Sequence, residues 1–137
     1  MADVRKRIAR VAVAAEVVAE YGRVRWLLRR RGLTATLDAL RRPRLIRAGT
    51  PGSDQRGHAL FLARIATREL ATLPAVETTC LTRSLVVTGM LARRGIPTSL
   101  TISVSSPEDF AAHAWVEWEG QPLLDPGDHR NARLATL

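Results

Sequence analysis

The chain has 137 residues, of which 46% are apolar and 25% are charged. This balance excludes intrinsic disorder, and the length suits one domain with a core but not two. The formal net charge is +8, and 20 of the 21 cationic residues are arginine, which favours an acidic partner. The basic stretch 23–47 holds one tryptophan and no nucleic-acid-binding module, so we expect no nucleic-acid binding.

The N-terminus superficially resembles a signal peptide, because Arg5, Lys6 and Arg7 precede an apolar run over 11–15. The run is too short for a signal core and far too short for a membrane span. The single cysteine cannot form an internal disulfide, which is typical of a reducing compartment. We therefore expect a cytoplasmic protein without a membrane span.

Four helices are predicted in the first two thirds of the chain from apolar spacing, caps and breakers. The first runs from Val4 to Arg31 and ends at Gly32, and the second runs from Thr34 to Arg42, before Pro43. The third runs from a cap at Ser53 or Asp54 to Leu73. The fourth runs from Cys80, capped by Thr78 or Thr79, to Gly95. Loops are predicted over 43–52 and 74–79. The fourth helix should bury one stripe, formed by Leu81, Leu85, Thr88, Leu91 and Ala92.

From Thr98 onward the apolar period changes to two, which predicts strands. Leu100, Ile102 and Val104 define the first strand. In the second, Ala112, Ala114, Val116 and Trp118 face one way, and His113, Trp115 and Glu117 face the other. A turn at Glu119-Gly120 leads into a third strand over 121–124. The order predicts a single α+β domain over 1–137, with a helical part (1–73) before a catalytic helix and antiparallel strands (74–137).

Cys80, His113 and Asp125 follow one another in the order that a thiol nucleophile, its base and an orienting carboxylate would need. The free N–H groups and positive dipole end of a helix favour the thiolate of a cysteine in its first turn. A histidine on a strand is a rigidly placed base. Asp125, just past the hairpin, can accept a hydrogen bond from the imidazole nitrogen that faces away from the thiol.

Each of these residues also has a structural interpretation. An isolated cysteine is often a small buried apolar group, a histidine on a half-buried strand is often structural, and Asp-Pro is often a turn. Asp128 and His129 are rival candidates, whereas His58 is expected to be a surface or packing residue. One cysteine and three scattered histidines give no metal-ligand spacing, so no metal or other cofactor is predicted.

Three motifs together resemble the transglutaminase-like cysteine peptidases that mature lasso peptides. They are Cys80-Leu81-Thr82-Arg83-Ser84-Leu85, Arg93-Arg94-Gly95-Ile96 and Ala112-His113-Ala114-Trp115-Val116-Glu117, followed by Asp125. The resemblance covers residues 77–126, about a third of the chain. It is vague over the N-terminal helices, which vary in this family.

The resemblance implies a transglutaminase-like, papain-like core and hydrolysis of one peptide bond in a ribosomally made precursor, which removes its leader. Cys80 would attack, His113 would serve as base and then acid, Asp125 would orient it, and the Cys80 N–H is the best oxyanion donor. A separate ATP-dependent cyclase would then close the ring. Some family members carry a fused leader-binding domain that contains strands. Because the N-terminal half here reads as helix, the resemblance implies the split form with a separate leader-recognition protein.

Three other hypotheses stay open from the sequence. The same triad could serve a transglutaminase-like acyltransferase or an amidase. A non-catalytic binding protein could keep the fold, although it would have no reason to keep Cys80, His113 and Asp125 together. An arginine-rich nucleic-acid binder would show a steep salt dependence.

Overall fold

The computed structural model describes residues 1–42, 55–73, 79–104, 112–124 and 132–137. Three helices precede four strands: α1 (Ala2–Arg41), α2 (Gln55–Thr72), α3 (Cys80–Ala92), β1 (Ser99–Val104), β2 (Ala112–Trp118), β3 (Gln121–Pro122) and β4 (Ala132–Thr136). This order confirms the predicted α+β class. The cap expected at Ser53 or Asp54 and the loop over 43–52 lie outside the described residues, as does most of the loop over 74–79.

The long helix α1 is interrupted at Gly32, where the backbone adopts φ 77° and ψ −179°. A positive φ is readily available to glycine alone, so the chain leaves the helical conformation at the residue that the sequence indicated as a terminator. Beyond the break, the Thr36 hydroxyl donates to the carbonyl oxygen of Gly32 at 2.6 Å. The two helices predicted over 4–42 are therefore present, as two helical segments that meet at a kink at Gly32.

The strands form one antiparallel sheet in the order β3-β2-β1-β4. The strand β4 was missed by the sequence analysis. It pairs with β1, and the backbone groups of Leu100 and Leu137 exchange two hydrogen bonds of 2.7 Å beside it. The third strand is shorter than predicted, since only Gln121 and Pro122 pair as a strand, although the N–H of Leu123 still donates to the carbonyl oxygen of Val116 at 2.8 Å.

The helix α3 is the centre of the domain, since it packs against α1, α2, β1 and β2. Every residue from Ser84 to Leu91 is buried. The single buried stripe predicted for this helix is therefore too narrow. A helix covered on several sides needs small or apolar side chains around its whole circumference, and Val86, Val87 and Met90 provide them outside that stripe.

Gly89 allows α1 and α3 to approach closely. A Cβ atom at this position would collide with Oε1 of Glu20 and would lie 3.1 Å from Cδ2 of Leu40. Both neighbours are buried, so neither can move into solvent. The backbone at Gly89 is ordinary helix, so its conformation does not require a glycine. The close approach of the Glu20 carboxylate does.

Arginines at the end of α3 neutralise two carboxylates of α1. Glu20 is fully buried and pairs with Arg93 and, at 3.4 Å, with Arg23. Glu16 receives a bidentate pair of hydrogen bonds from Arg94, at 2.7 and 2.8 Å. Burial raises the pKa of Glu20 above its ordinary value of 4.5, although Arg93 and Arg23 act in the opposite direction.

None of the helices in the described part of the chain combines the length and the apolar character needed to cross a bilayer.

We predict that Gly89→Ala destabilises the domain by about 1–3 kcal/mol, because the added methyl group collides with Glu20 in a packed interior. Gly22→Ala, in exposed helix with open space around the new Cβ, is the matched control and should stabilise by about 0.5–1 kcal/mol. Urea denaturation of both variants measures the two effects. Equal effects of the two substitutions would contradict the close approach of Glu20 to Gly89.

We also predict that Glu20 makes stability depend on pH. Its pKa is raised in the folded protein, so the fold holds a proton that the unfolded chain has already released above about pH 4.5. The stability of the protein relative to Glu20→Gln should therefore fall as the pH rises from 4.5 through the folded pKa. Denaturation of both proteins at several pH values measures this difference. The control is Asp38→Asn, which removes an exposed carboxylate of α1 and should leave the pH dependence of stability unchanged. A stability difference between the wild-type protein and Glu20→Gln that stays constant with pH would contradict the prediction.

Candidate functional site

Cys80 is the first residue of α3, as the sequence predicted. The preceding residue, Thr79, is the N-cap: its backbone is extended and its hydroxyl oxygen accepts the N–H of Thr82 at 3.2 Å. The capping hydroxyl satisfies one of the N–H groups left free at a helix start. The cysteine itself is partly exposed, whereas the helix beyond it is buried.

His113 lies near the start of β2, opposite Ser103 of β1. Its ring stacks on the ring of Trp115, with centroids 5.9 Å apart and planes 29° apart. The indole N–H of Trp115 in turn donates to Oε1 of Glu117 at 2.9 Å. These three side chains stand on the same side of the strand, as predicted, and the imidazole is held against a fixed indole.

That side of β2 is buried as well, which the sequence did not indicate. Trp115 is 5% exposed and Glu117 is 4% exposed, and Thr101 and Ser103 beside them on β1 are fully buried. The other side, carrying Ala114 and Val116, is also buried. Both faces of this part of the sheet are therefore shielded from water, so the site is attached to a rigid strand.

Two contacts fix α3 against β2 on either side of His113. Sγ of Cys80 lies 3.9 Å from the carbonyl oxygen of Ala112, within range of a weak S–H hydrogen bond. The buried hydroxyl of Ser84 donates to the carbonyl oxygen of Ala114 at 3.1 Å. Ala112 and Ala114 flank His113 in the chain. The helix that carries the cysteine is thus held in register with the strand that carries the histidine.

Cys80 and His113 line one open cavity of about 470 Å³. The structure therefore brings together two of the three predicted site residues. The described lining comes from α2, α3, β2 and the residues after β3: Ala63, Arg64, Thr67, Arg68, Ala71, Cys80, Arg83, His113, Ala114, Leu123 and Leu124. A cavity of this size and openness can receive part of a peptide chain beside the thiol.

Asp125, the predicted third member, lies outside the described residues, as do its rivals Asp128 and His129. The neighbouring residue Leu124 lines the cavity. His58 is exposed on α2 and is not among the described lining residues, as expected for a surface side chain.

The contribution of α2 to the site was missed. Arg64, Thr67, Arg68 and Ala71 fall at helical spacing on one face and form a wall of the cavity. Arg83, which was quoted as part of a motif but given no role, adds a third guanidinium. The chain has many arginines, and Arg64 and Arg68, at positions i and i+4, have the spacing of an ordinary solvated helix face. No local sequence signal therefore distinguishes them as cavity residues.

The described residues hold no group of three His, Cys, Asp or Glu side chains placed to bind a metal ion. The chemistry available in the described part of the cavity is that of a thiol, an imidazole, backbone N–H groups at a helix start and guanidinium cations. These are the groups used in acyl transfer through a cysteine.

Comparison with protein families agrees with this geometry. The model of a family described as the transglutaminase-like superfamily matches residues 11–137, a range that contains every residue of the site. The chain belongs to the transglutaminase-like superfamily. Its members are often cysteine-dependent enzymes. No curated protein and no solved structure matches the chain. Membership confirms the broad family predicted from the motifs, while the lasso-peptide specialisation of this transglutaminase-like domain stays a prediction.

Proposed function

We propose that this transglutaminase-like protein is a cysteine peptidase that removes the leader from a lasso-peptide precursor. One observation carries the chemical part: Cys80, at the start of a buried helix, and His113, on a rigid strand, line the same open cavity. The motifs around both residues, which resemble those of lasso-peptide leader peptidases, support the choice of substrate.

In the proposed reaction, Sγ of Cys80 attacks the carbonyl carbon of the scissile bond while the imidazole of His113 takes up the thiol proton. The carbonyl oxygen becomes an oxyanion and accepts the Cys80 N–H at the free end of α3. The carbon–nitrogen bond then breaks, and His113 returns the proton to the departing amine. Water, deprotonated by the same imidazole, hydrolyses the thioester and restores the thiol.

Asp125 is proposed to accept the second imidazole N–H, which fixes the tautomer that His113 needs. The stacking of His113 on Trp115 supports such a role, because it limits the rotation of the ring to orientations along the strand. The carboxylate then has only to select the tautomer and stabilise the imidazolium.

We propose that the leader is delivered by a separate leader-recognition protein and that an ATP-dependent cyclase acts on the product. The described residues of 1–73 form helices only, whereas the fused leader-binding domain of the resembling family contains strands. Exposed arginines on α1, among them Arg29, Arg30 and Arg31, offer a basic surface to an acidic partner.

The second candidate function is acyl transfer to an amine in place of water. Membership of the transglutaminase-like superfamily supports it to the same degree, and the described cavity would accept either nucleophile. An amidase would differ only in the bond cleaved, and a non-catalytic binding protein would bind a peptide without reaction.

We predict that Cys80→Ala abolishes cleavage of the precursor and leaves the fold intact, because the buried residues of α3 and the hydrogen bond from Ser84 to β2 hold the helix without the thiol. His113→Ala should be nearly as severe, with losses of several powers of ten that do not add when the two are combined. Mass spectrometry of the products, with and without an added primary amine, separates hydrolysis from amine transfer. Normal turnover by folded Cys80→Ala would overturn any cysteine mechanism, and amine-containing product would favour the acyltransferase.

We predict that Asp125→Asn lowers turnover by less than Cys80→Ala, because it disturbs the orientation of the imidazole and leaves the nucleophile in place. Asp128→Asn is the matched control, with the same chemical change three residues later, and should have little effect. Single-turnover rates of the two variants provide the comparison. A larger loss of turnover in Asp128→Asn than in Asp125→Asn would show that the third residue of the catalytic triad was assigned wrongly.

We predict that the isolated chain cleaves precursor poorly, that a leader-recognition protein activates it strongly and that added salt weakens this activation. The reason is that exposed charges are screened beyond about 8–10 Å at physiological ionic strength. Charge reversal of Arg29, Arg30 and Arg31 together tests one exposed surface. If activation and its salt dependence are unchanged, these arginines do not form the docking surface.

A further inference from the structure

Resting on the proposed function, we infer that Arg64, Arg68 and Arg83 form a subsite beside Cys80 that selects a carboxylate group of the substrate. The inference concerns substrate choice and not the bond-making step. It adds a specificity-determining cluster to the thiol and imidazole already described.

The three arginines line the cavity from two helices. Arg64 and Arg68 are one turn apart on α2, and Arg83 is one turn beyond Cys80 on α3. The spacing between Cys80 and Arg83 places both on one face of the helix. An occupant near the thiol therefore meets positive charge from two sides.

These arginines differ in their pairing from the arginines at the contact between α1 and α3. Arg23, Arg93 and Arg94 pair with Glu16 or Glu20. Across the described ranges, no ion pair engages Arg64, Arg68 or Arg83, and the described lining of the cavity includes no acidic residue.

Arg83 is the member of the cluster that α3 contributes to the cavity wall. Its Nε atom is buried and has no hydrogen-bond partner among the described residues. Because Nε is closed off by burial, a carboxylate in the cavity would be bound by the two terminal nitrogens of the guanidinium, which can donate to both of its oxygens at once. The planar fork of arginine suits this bidentate geometry better than it suits a single neutral carbonyl.

A peptide can supply the carboxylate in two ways, as an aspartate or glutamate side chain or as a free chain terminus. The chemistry at the guanidinium groups is the same for both. The structure assigns the class of group, and the position of the carboxylate along the peptide is left to the experiment.

The experiment uses the fact that Cys80 is the single cysteine of the chain, so its alkylation reports on this cavity alone. The thiolate displaces bromide from a bromoacetyl group, and a thioether forms. Three reagents share that group: bromoacetyl-glutamine amide, which is neutral, bromoacetyl-glutamate α-amide, which carries a side-chain carboxylate, and bromoacetyl-glutamine with a free terminal carboxylate. Ratios of rate constants on one protein cancel any difference in the ionisation or exposure of the thiol.

We expect at least one carboxylate reagent to react about threefold or more faster than the neutral reagent at low ionic strength, in line with one or two partly exposed ion pairs. The reagent that gains shows which carboxylate is selected. Arg64→Gln with Arg68→Gln should bring the ratio near one, and both positions are exposed, so the fold should survive. Arg83→Gln should lower the ratio as well, and circular dichroism checks its folding.

Arg10→Gln with Arg56→Gln is the charge-matched control, since both arginines are exposed and neither is among the described residues that line the cavity. It should keep the wild-type ratio. Ratios near one for both carboxylate reagents on the wild-type protein would overturn the inference, and so would equal losses in the control and in the α2 variant. Alkylation needs no peptide hydrolysis, so failure of the proposed peptidase activity would leave this result unaffected and would be seen separately as absent precursor cleavage.

Discussion

The burial of α3 is the constraint on which the rest of the structure depends. This helix packs against α1, α2 and the sheet, and everything from Ser84 to Leu91 is removed from water. Among the described lining residues, α3 contributes Cys80 and Arg83 of its first turn, with Cys80 partly exposed and Thr79 capping the helix. A helix fixed along its length holds its first residue in place, so a nucleophile there needs no loop to position it. The contacts of Cys80 and Ser84 with β2 carry that rigidity to His113.

The opposite end of α3 is fixed by charge. Burying the carboxylate of Glu20 without a partner would be strongly unfavourable, and Arg93 and Arg23 offset that cost. Arg94 holds Glu16 in a bidentate pair, and Gly95, with φ 70°, ends the helix after it. The Arg-Arg-Gly-Ile motif therefore has a structural role, since it ties α3 to α1, about as far from the cavity as the helix allows. The resemblance to a peptidase family rests partly on residues that build the scaffold and partly on residues that face the cavity.

Local signals explain which parts of the fold could be predicted from the sequence. The stop at Gly32, the cap at Thr79 and the alternation in β2 each depend on a few neighbouring residues, and each was predicted. The strand β4 depends on pairing with β1 across a long stretch of chain, and its own sequence is short and close to the terminus. The burial of both faces of β2 and the α2 wall of the cavity are likewise properties of the assembled domain. Arg64 and Arg68 matter because they line the same cavity as Cys80 and His113, and the helical spacing of α2 does not indicate this.

The first two turns of α3 connect the sequence motif to the chemistry most directly. Cys80, Arg83 and Ser84 occupy positions i, i+3 and i+4, which share one face of a helix. Cys80 and Arg83 line the cavity, while the hydroxyl of Ser84 is buried against the carbonyl of Ala114. One short motif thus supplies a thiol, a cation and an anchor to the strand that carries His113. The anchor holds this face of the helix against the strand that carries His113. On the proposed function, substrate selection by charge and bond cleavage by the thiol would share one face of α3.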